Sequence, residues 1–401
     1  MRILVETHTM EIGGSQFNAV ELAEGAARLG HEVTVFGPDG PLVEEVHRRG
    51  LEWIQAPERR GTPCPATAMA LTRLTRRRKF DVVHPYEWNT LLDTMYGPGW
   101  LLGTPVLSTV LSVDVPFFLP TSVPMIVCMR ELWEQERRRR PDVRFMEIPI
   151  DTELNAPGTA PTLTLSDGRV TDVRSHVGAA DDERLVVVVG RLASRLKLDG
   201  LLDAVAAMPL VNDHVKARLV IVGDGPERPR VEEAVRRATE SLGRATTVTV
   251  GQFLDPRPFY QAADLALGMG SSILRAMAFE KAVIVQGEAG FWEPLTPETL
   301  PMFLSQGWYG IGSGKVDLPR LAELIVSALL EPDPELPLLG RRTVEEHNSL
   351  GAISEWLSSV YSEVAVQQHA WPERLSSASG NAWELTKFRA SRALSRLRGS
   401  S

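Results

Sequence analysis

Cysteine is nearly missing from this 401-residue chain, which carries only Cys64 and Cys128. Two thiols cannot build a disulfide framework, and no paired cysteine and histidine spacing points to a zinc site, so a reducing compartment fits. Long apolar runs are missing too. The opening stretch is cut off at Glu6, before a signal peptide's apolar region would be complete, and no small-residue cleavage site follows. No other window reaches the length of a bilayer span, so no integral membrane segment and a cytoplasmic location are expected. Nor is there an excess of positive charge: the net charge of -8 argues against a protein built mainly to bind nucleic acid.

What is present is enough chain for two domains of ordinary size. Residues 2–6 read as a strand, Gly13 and Gly14 as a loop, 15–29 as a helix and 32–36 as a second strand, a strand-helix-strand unit. Further apolar strands at 81–83, 106–110 and 124–127 suit a parallel sheet covered on both faces. From about residue 155 to 183 the chain is rich in Pro, Gly, Thr, Ser and Asp and reads as a linker. The pattern then restarts with strands at 185–189, 218–222, 247–250, 265–267 and 282–285. The expected architecture is α/β, with two similar open halves in tandem. In open parallel sheets ligands bind beyond the carboxyl ends of the strands, so the glycine loops of both halves are expected to face one cleft.

The segment with the clearest chemistry is Val189-Gly190-Arg191-Leu192 followed by Lys197, Asp199 and Gly200, between a buried strand and a helix. Breaking a sugar-phosphate bond builds negative charge on the departing diphosphate, which preorganised cations stabilise. Arg191 can grip oxygens in a fork and Lys197 can act as a point charge; surface pairing is the competing reading.

Around this segment stand Gly13-Gly14-Ser15-Gln16, "GHEVTVFGP" at 30–38, "DVVH" at 81–84, Ile148-Pro149-Ile150-Asp151, "LVIVGDGP" at 219–226 and "AMAFEKAVIV" at 276–285. In this order and spacing they resemble the family 4 retaining glycosyltransferases over most of the chain. The resemblance implies the GT-B fold, two Rossmann-like domains. An acceptor domain would span 1–165 and a nucleotide-sugar donor domain 166–345, with a helix at 346–375 packing back and a basic tail at 376–401. The helical pattern itself runs from about 343 to 366. The tail, with Lys387, Arg389, Arg392, Arg396 and Arg398 among Leu385, Phe388, Leu394 and Leu397, reads as an amphipathic helix or as disordered.

The resemblance also implies that Arg191 and Lys197 bind the donor diphosphate, that configuration is retained, and that neither cofactor nor metal is required. No apolar strand ends in an Asp-x-Asp pair; Asp333 and Glu335 lie in a proline-rich loop. The expected partners are a nucleotide-sugar donor and a small-molecule, glycan or lipid-linked acceptor.

Other candidates extend the site. Gly268-Met269-Gly270-Ser271-Ser272 forms a second glycine platform before a helix, fit for a diphosphate or sugar. Glu288, with Gly290 in the same loop, is placed to accept from donor sugar hydroxyls or to cap a helix. Phe253 reads as flanking the base or as core. Arg275, in "LRAMA", stands where relatives carry a ribose-binding glutamate in "LEAMA"; a guanidinium only donates, so the usual ribose contact cannot form there, and the arginine is expected to meet phosphate or to pair with Glu280 or another carboxylate.

In the first half, Gly13-Gly14-Ser15-Gln16 is read as a phosphate or acceptor loop at a helix N-terminus, with Ser15 capping the helix as the alternative. After His84, Tyr86, Glu87 and Trp88 form an aromatic and acidic cluster that is the acceptor-site candidate. Many relatives place a histidine after the next strand, in "VHG"; here the segment is Val110-Leu111-Ser112. His8 and His84 are the expected catalytic replacements. The basic runs at 76–79 and 137–140 are read as solvated helix faces. The alternatives are a catalytically weak or inactive GT-B protein acting as a partner or subunit, and an epimerase or phosphorylase of the same architecture.

Overall fold

The computed structural model describes residues 1–112, 114–158, 160–165, 167–194, 196–314, 316–367 and 371–398, the last segment with side chains for 374–388 and 390. Two compact units emerge, one formed by Met1–Glu147 with Gly351–Ser401 and the other by Ile148–Leu350.

The first unit is built on parallel strands β1 (Arg2–Glu6), β2 (Glu32–Gly37), β3 (Glu52–Gln55) and β4 (Val82–Pro85), in the order β3-β2-β1-β4. Strands β5 (Ser108–Val110), β6 (Met125–Val127) and β7 (Val143–Phe145) follow as a second parallel set. Parallel bridges Val83 to Val106 and Tyr86 to Thr109 continue β4 onto this set. Strands β1 and β2 are near-continuous buried runs, as a sheet covered on both faces requires. The helix expected at 15–29 is Gly14–Arg28. Strands β3 and β7 were not expected from the sequence, because they are short and none of their residues is fully buried.

The strand order reverses between β1 and β4. Loops leaving their carboxyl ends therefore diverge to opposite sides and leave a crevice between them.

The helical pattern at 343–366 resolves into two helices, Glu335–His347 and Leu350–Ala365. The break comes where Ile150 bridges Ser349 and donates its N–H to the carbonyl of Asn348. The second helix buries Ile353, Leu357, Val360, Tyr361 and Val364, one face at helical spacing. A further helix, Trp371–Arg398, contains most of the expected basic tail. Leu385 and Phe388 pack into the first unit's core, so that part of the tail is a docked helix. The side chains of Arg389, Arg392, Leu394, Arg396, Leu397 and Arg398 lie outside the described residues. Arg140 departs from the solvated reading of its run: it is buried, pairs with Glu136 and donates to the carbonyl of Leu119.

The second unit opens with a hairpin of β8 (Thr162–Thr164) and β9 (Val170–Asp172). Its main sheet contains β10 (Arg184–Val189), β11 (Ala217–Val222), β12 (Thr247–Gly251), β13 (Leu265–Gly268), β14 (Ala282–Gln286) and β15 (Trp292–Pro294), in the order β12-β11-β10-β13-β14-β15. All but the edge strand β15 are parallel. Alternation along β10 sends Val186 and Val188 into one core cluster and Leu185 and Val187 into another, so both faces are covered. The expected linker at 155–183 is largely part of this unit. Leu163, Val173 and Val177 pack into the core, and the division between units falls at Glu147 and Ile148. Polar turns around three well-spaced apolar residues hid a packed hairpin and the short helix Val173–His176 that follows it.

Candidate functional site

In the second unit the strand order reverses between β10 and β13, whose register pairs Val188 with Leu267. The chain leaves these neighbouring strands as Gly190-Arg191 and as Gly268-Met269, so the two expected donor segments flank one switch point. Arg191 is exposed and Lys197 half-buried. The lysine folds back over Gly190, where an added Cβ would lie 3.4 Å from Nζ. Burial lowers the Lys197 pKa, and the neighbouring Arg191 charge lowers it further. Among the described residues no carboxylate pairs with either cation. Two neighbouring positive charges without a counterion repel each other, and an anion between them relieves that repulsion.

The Gly223-Asp224-Gly225 turn holds this segment from beneath. Leu192 N–H donates to the Asp224 carbonyl at 2.9 Å, and Glu227 N–H to the Leu192 carbonyl at 3.1 Å. The approach is so close that a Cβ on Gly223 would lie 1.9 Å from the Gly190 oxygen, and one on Gly225 2.3 Å from the Leu192 oxygen. Gln286, at the end of β14, donates through Nε2 to the carbonyls of Leu196 and Lys197, at 3.4 and 3.0 Å. Sequence reasoning gave Gln286 no role, since nothing in its neighbours announces contact with a segment some 90 residues earlier.

Gly270 starts the helix Ser271–Ala278 with φ 56°, and no side chain caps it. Its first N–H groups and the positive end of its dipole are thus left for a ligand. Ser272 is turned back, its hydroxyl donating to the Met269 carbonyl at 2.8 Å. Gly268 has φ 155°, and a Cβ there would crowd Ser272 Oγ at 2.9 Å. Glu288 accepts from the Tyr309 hydroxyl at 2.9 Å in a tight loop that includes Gly290 at φ 77°. The half-buried ring of Phe253 lies edge-on to His176 and Phe259 at the rim of a core cluster. Arg275 is half-buried beside Tyr260; burial raises the pKa of that phenol and the Arg275 charge opposes the rise.

In the first unit, the loop after β1 places Gly13 as N-cap of the Gly14–Arg28 helix, again without a side-chain cap. Ser15 is not the cap: it lies within the first turn and donates to Gln16 Oε1 at 3.0 Å. The Gln16 amide folds back over Gly13, where an added Cβ would lie 2.5 Å from Oε1. His8, half-buried and 3.4 Å from Gln16 Nε2, has its pKa lowered to about 4 by burial and then by the Arg59 charge. It is neutral at pH 7.

His84 and Tyr86 require correction. His84 is fully buried, with Nδ1 2.6 Å from the Tyr361 hydroxyl and Nε2 2.7 Å from Thr109 Oγ1. Burial lowers its pKa to about 3. With both ring nitrogens engaged inside the core it is structural, not catalytic. Tyr86 is buried against the His84 ring, with centroids 4.4 Å apart, and is not an acceptor-facing aromatic. Trp88 remains half-exposed at the start of a helix, edge-on to Phe118.

Between them stands Glu87, the acidic member of the expected acceptor cluster. Glu87 holds φ 75° and ψ 159°, a region essentially reserved for glycine. Its carboxylate accepts from Ser112 Oγ at 2.5 Å and Leu111 N–H at 3.3 Å. Burial raises its pKa, and these hydrogen bonds oppose the rise. Thus Glu87 reaches the segment where relatives carry the histidine. Among the described residues no cluster of acidic, histidine or cysteine side chains has the makings of a metal site, and no helix is long and apolar enough to cross a membrane.

Residues 12–143 match the family model described as Glycosyltransferase Family 4, and residues 183–298 match Glycosyl transferases group 1. The chain is 28% identical over 262 residues to a GDP-mannose-dependent alpha-mannosyltransferase of Mycobacterium tuberculosis, covering 59% of this chain and 65% of that relative. The match thus spans slightly under two thirds of the relative's length. An uncharacterized glycosyltransferase of Methanocaldococcus jannaschii is 24% identical over 323 residues, 72% of this chain and 80% of the relative. Anabaena HepE, solved in complex with UDP and glucose, superposes with a TM-score of 0.69 at 15% identity, covering 90% of this chain and 100% of that one. Each unit thus matches a glycosyltransferase family model, and the backbone likeness shows the GT-B fold.

Proposed function

We propose that this glycosyltransferase uses a nucleotide-diphosphate sugar and transfers the sugar to an acceptor hydroxyl with retention of anomeric configuration, without a metal ion. One observation carries the reading: Arg191 and Lys197, two neighbouring cations without a carboxylate partner among the described residues, stand at the switch point that also bears the uncapped helix start at Gly270. Such a site favours a ligand with two or more negative charges. The relatives support it in kind, one named for dependence on GDP-mannose and one solved with UDP and glucose.

In the proposed reaction the acceptor oxygen attacks the anomeric carbon from the face the diphosphate leaves. The new carbon–oxygen bond forms as the sugar–phosphate bond breaks, and the acceptor's proton passes to the departing phosphate oxygen. No protein nucleophile is needed. Arg191, Lys197 and the helix start stabilise the charge that develops on the leaving group. The acceptor candidates of the first unit are His8 and the Gly13–Gln16 loop, which follow β1, and Trp88, which follows β4.

Calorimetry with UDP and GDP tests the assignment. Arg191→Ala or Lys197→Ala is expected to weaken binding roughly tenfold to hundredfold, the loss of a charged hydrogen bond. No binding of either nucleotide to the unaltered protein, or unchanged affinity in both variants, would sink it.

A further inference from the structure

The lysine proposed to hold the diphosphate is reached through an unusual piece of backbone. Leu196, the residue before it, has φ 71°, a conformation costly for a side chain branched beyond Cβ and sustained only when surrounding contacts enforce it. What enforces it is Gln286. Its side chain is buried, and its amide nitrogen donates to the two carbonyls that follow the kink, those of Leu196 and Lys197. The Lys197 carbonyl also accepts the N–H of Leu201, the first bond of the following helix. Gly200 leaves room for this reach: a Cβ there would lie 2.3 Å from the Gln286 amide nitrogen and 2.5 Å from its Cδ. One amide thus braces the end of β14 against the helix that begins just beyond Lys197.

We propose that Gln286 is the positioning residue for Lys197, and that Gln286 and Gly200 together set the affinity for the donor diphosphate. The inference rests on the reading of Lys197 as a diphosphate ligand. Gln286 itself donates both of its hydrogen bonds to backbone carbonyls and acts through the lysine. Without that brace, the kink at Leu196 relaxes toward ordinary φ and Nζ leaves its place over Gly190. The cation then enters the bound geometry only after reordering, which weakens binding without removing any group that meets the ligand.

The test is a double-mutant cycle on the full chain, read by calorimetry with UDP or GDP, whichever the unaltered protein binds, and with its monophosphate. Gln286→Met keeps volume and drops the donor. It is expected to weaken the diphosphate about tenfold and the monophosphate much less. Lys197→Ala is expected to weaken the diphosphate more, and adding Gln286→Met to it should cost nothing further, because residues acting as one unit are non-additive.

If Gln286→Met proves poorly folded by thermal melt, Gln286→Ala with Gly200→Ala replaces it, the new methyl occupying part of the vacated space; the same loss is expected. Equal losses from the Gln286 change with and without Lys197, or no loss in its presence, would overturn the role of Gln286 while leaving Lys197 in place. If Lys197→Ala itself changes nothing, the reading of the lysine falls and this inference falls with it.

Discussion

The Ser112 hydroxyl donates to the Glu87 carboxylate at 2.5 Å, tying the end of β4 to the loop that follows β5. Glu87 does this from a backbone conformation that only glycine adopts without strain. An ordinary loop glutamate would relax out of it, so the hydrogen bonds to Ser112 and Leu111 hold it there.

That strain gives an unusual order of stabilities. Glu87→Ala loses both hydrogen bonds and keeps the strained φ, and should cost about 2–4 kcal/mol. Glu87→Gly loses the same bonds but relieves the backbone, and should be more stable than the alanine variant by about 1 kcal/mol, the reverse of the usual preference. Urea denaturation of the two variants decides. An alanine variant as stable as the glycine one would show that the backbone is not strained.

Gly223 presents the opposite constraint, one of space. A Cβ there would lie 1.9 Å from the Gly190 oxygen, so Gly223→Ala must push apart two backbone segments. A cost of about 3–5 kcal/mol is expected, with loss of nucleoside diphosphate binding as the Arg191 segment shifts. A thermal melt within a degree of the parent would contradict this packing.

His84 should make stability depend on pH in a definite sense. Its folded pKa, about 3, lies below the ordinary 6.5 because burial excludes the charged ring. The stabilising contribution is therefore complete above about pH 6.5 and lost as pH falls toward 3, since unfolding releases an imidazole that takes up a proton. Relative to His84→Gln, the unaltered protein should lose up to about 1.4 kcal/mol per pH unit between pH 6 and 4. The difference between the two should be flat above pH 7.5. Chemical denaturation at several pH values measures it, and taking the difference removes the contributions of other groups.

Arg341 closes the second unit around its own first residues. It donates to the carbonyls of Thr152, Asn155 and Ala278, at 3.0, 2.8 and 2.7 Å, and pairs with Glu345. Arg341→Ala is expected to cost about 2–4 kcal/mol. Arg341→Lys should recover less than half of this, because an ammonium cannot span three carbonyls set in different directions. Denaturation midpoints of the two variants check the order.

The sequence by itself determined the alternation of strands and helices in both halves, because buried parallel strands such as Leu185 to Val188 are apolar without interruption and glycine marks their carboxyl ends. It also singled out Gly190, Arg191, Lys197 and the Gly268–Ser272 platform as donor-site candidates, while the strand order that puts them at one switch point belongs to the folded sheet. Only the tertiary structure decided which polar residues at strand ends face inward. His84 and Tyr86 looked like site residues from their positions, but Tyr361 and Thr109, far away in the chain, satisfy the histidine within the core. The same long-range packing assigned residues 155–183 to the second unit and brought Glu87 to Ser112 and Gln286 to Lys197. Local pattern reports which residues prefer burial. Hydrogen bonds between strands and loops distant in the chain report which polar groups are committed to the fold and which are left for a ligand.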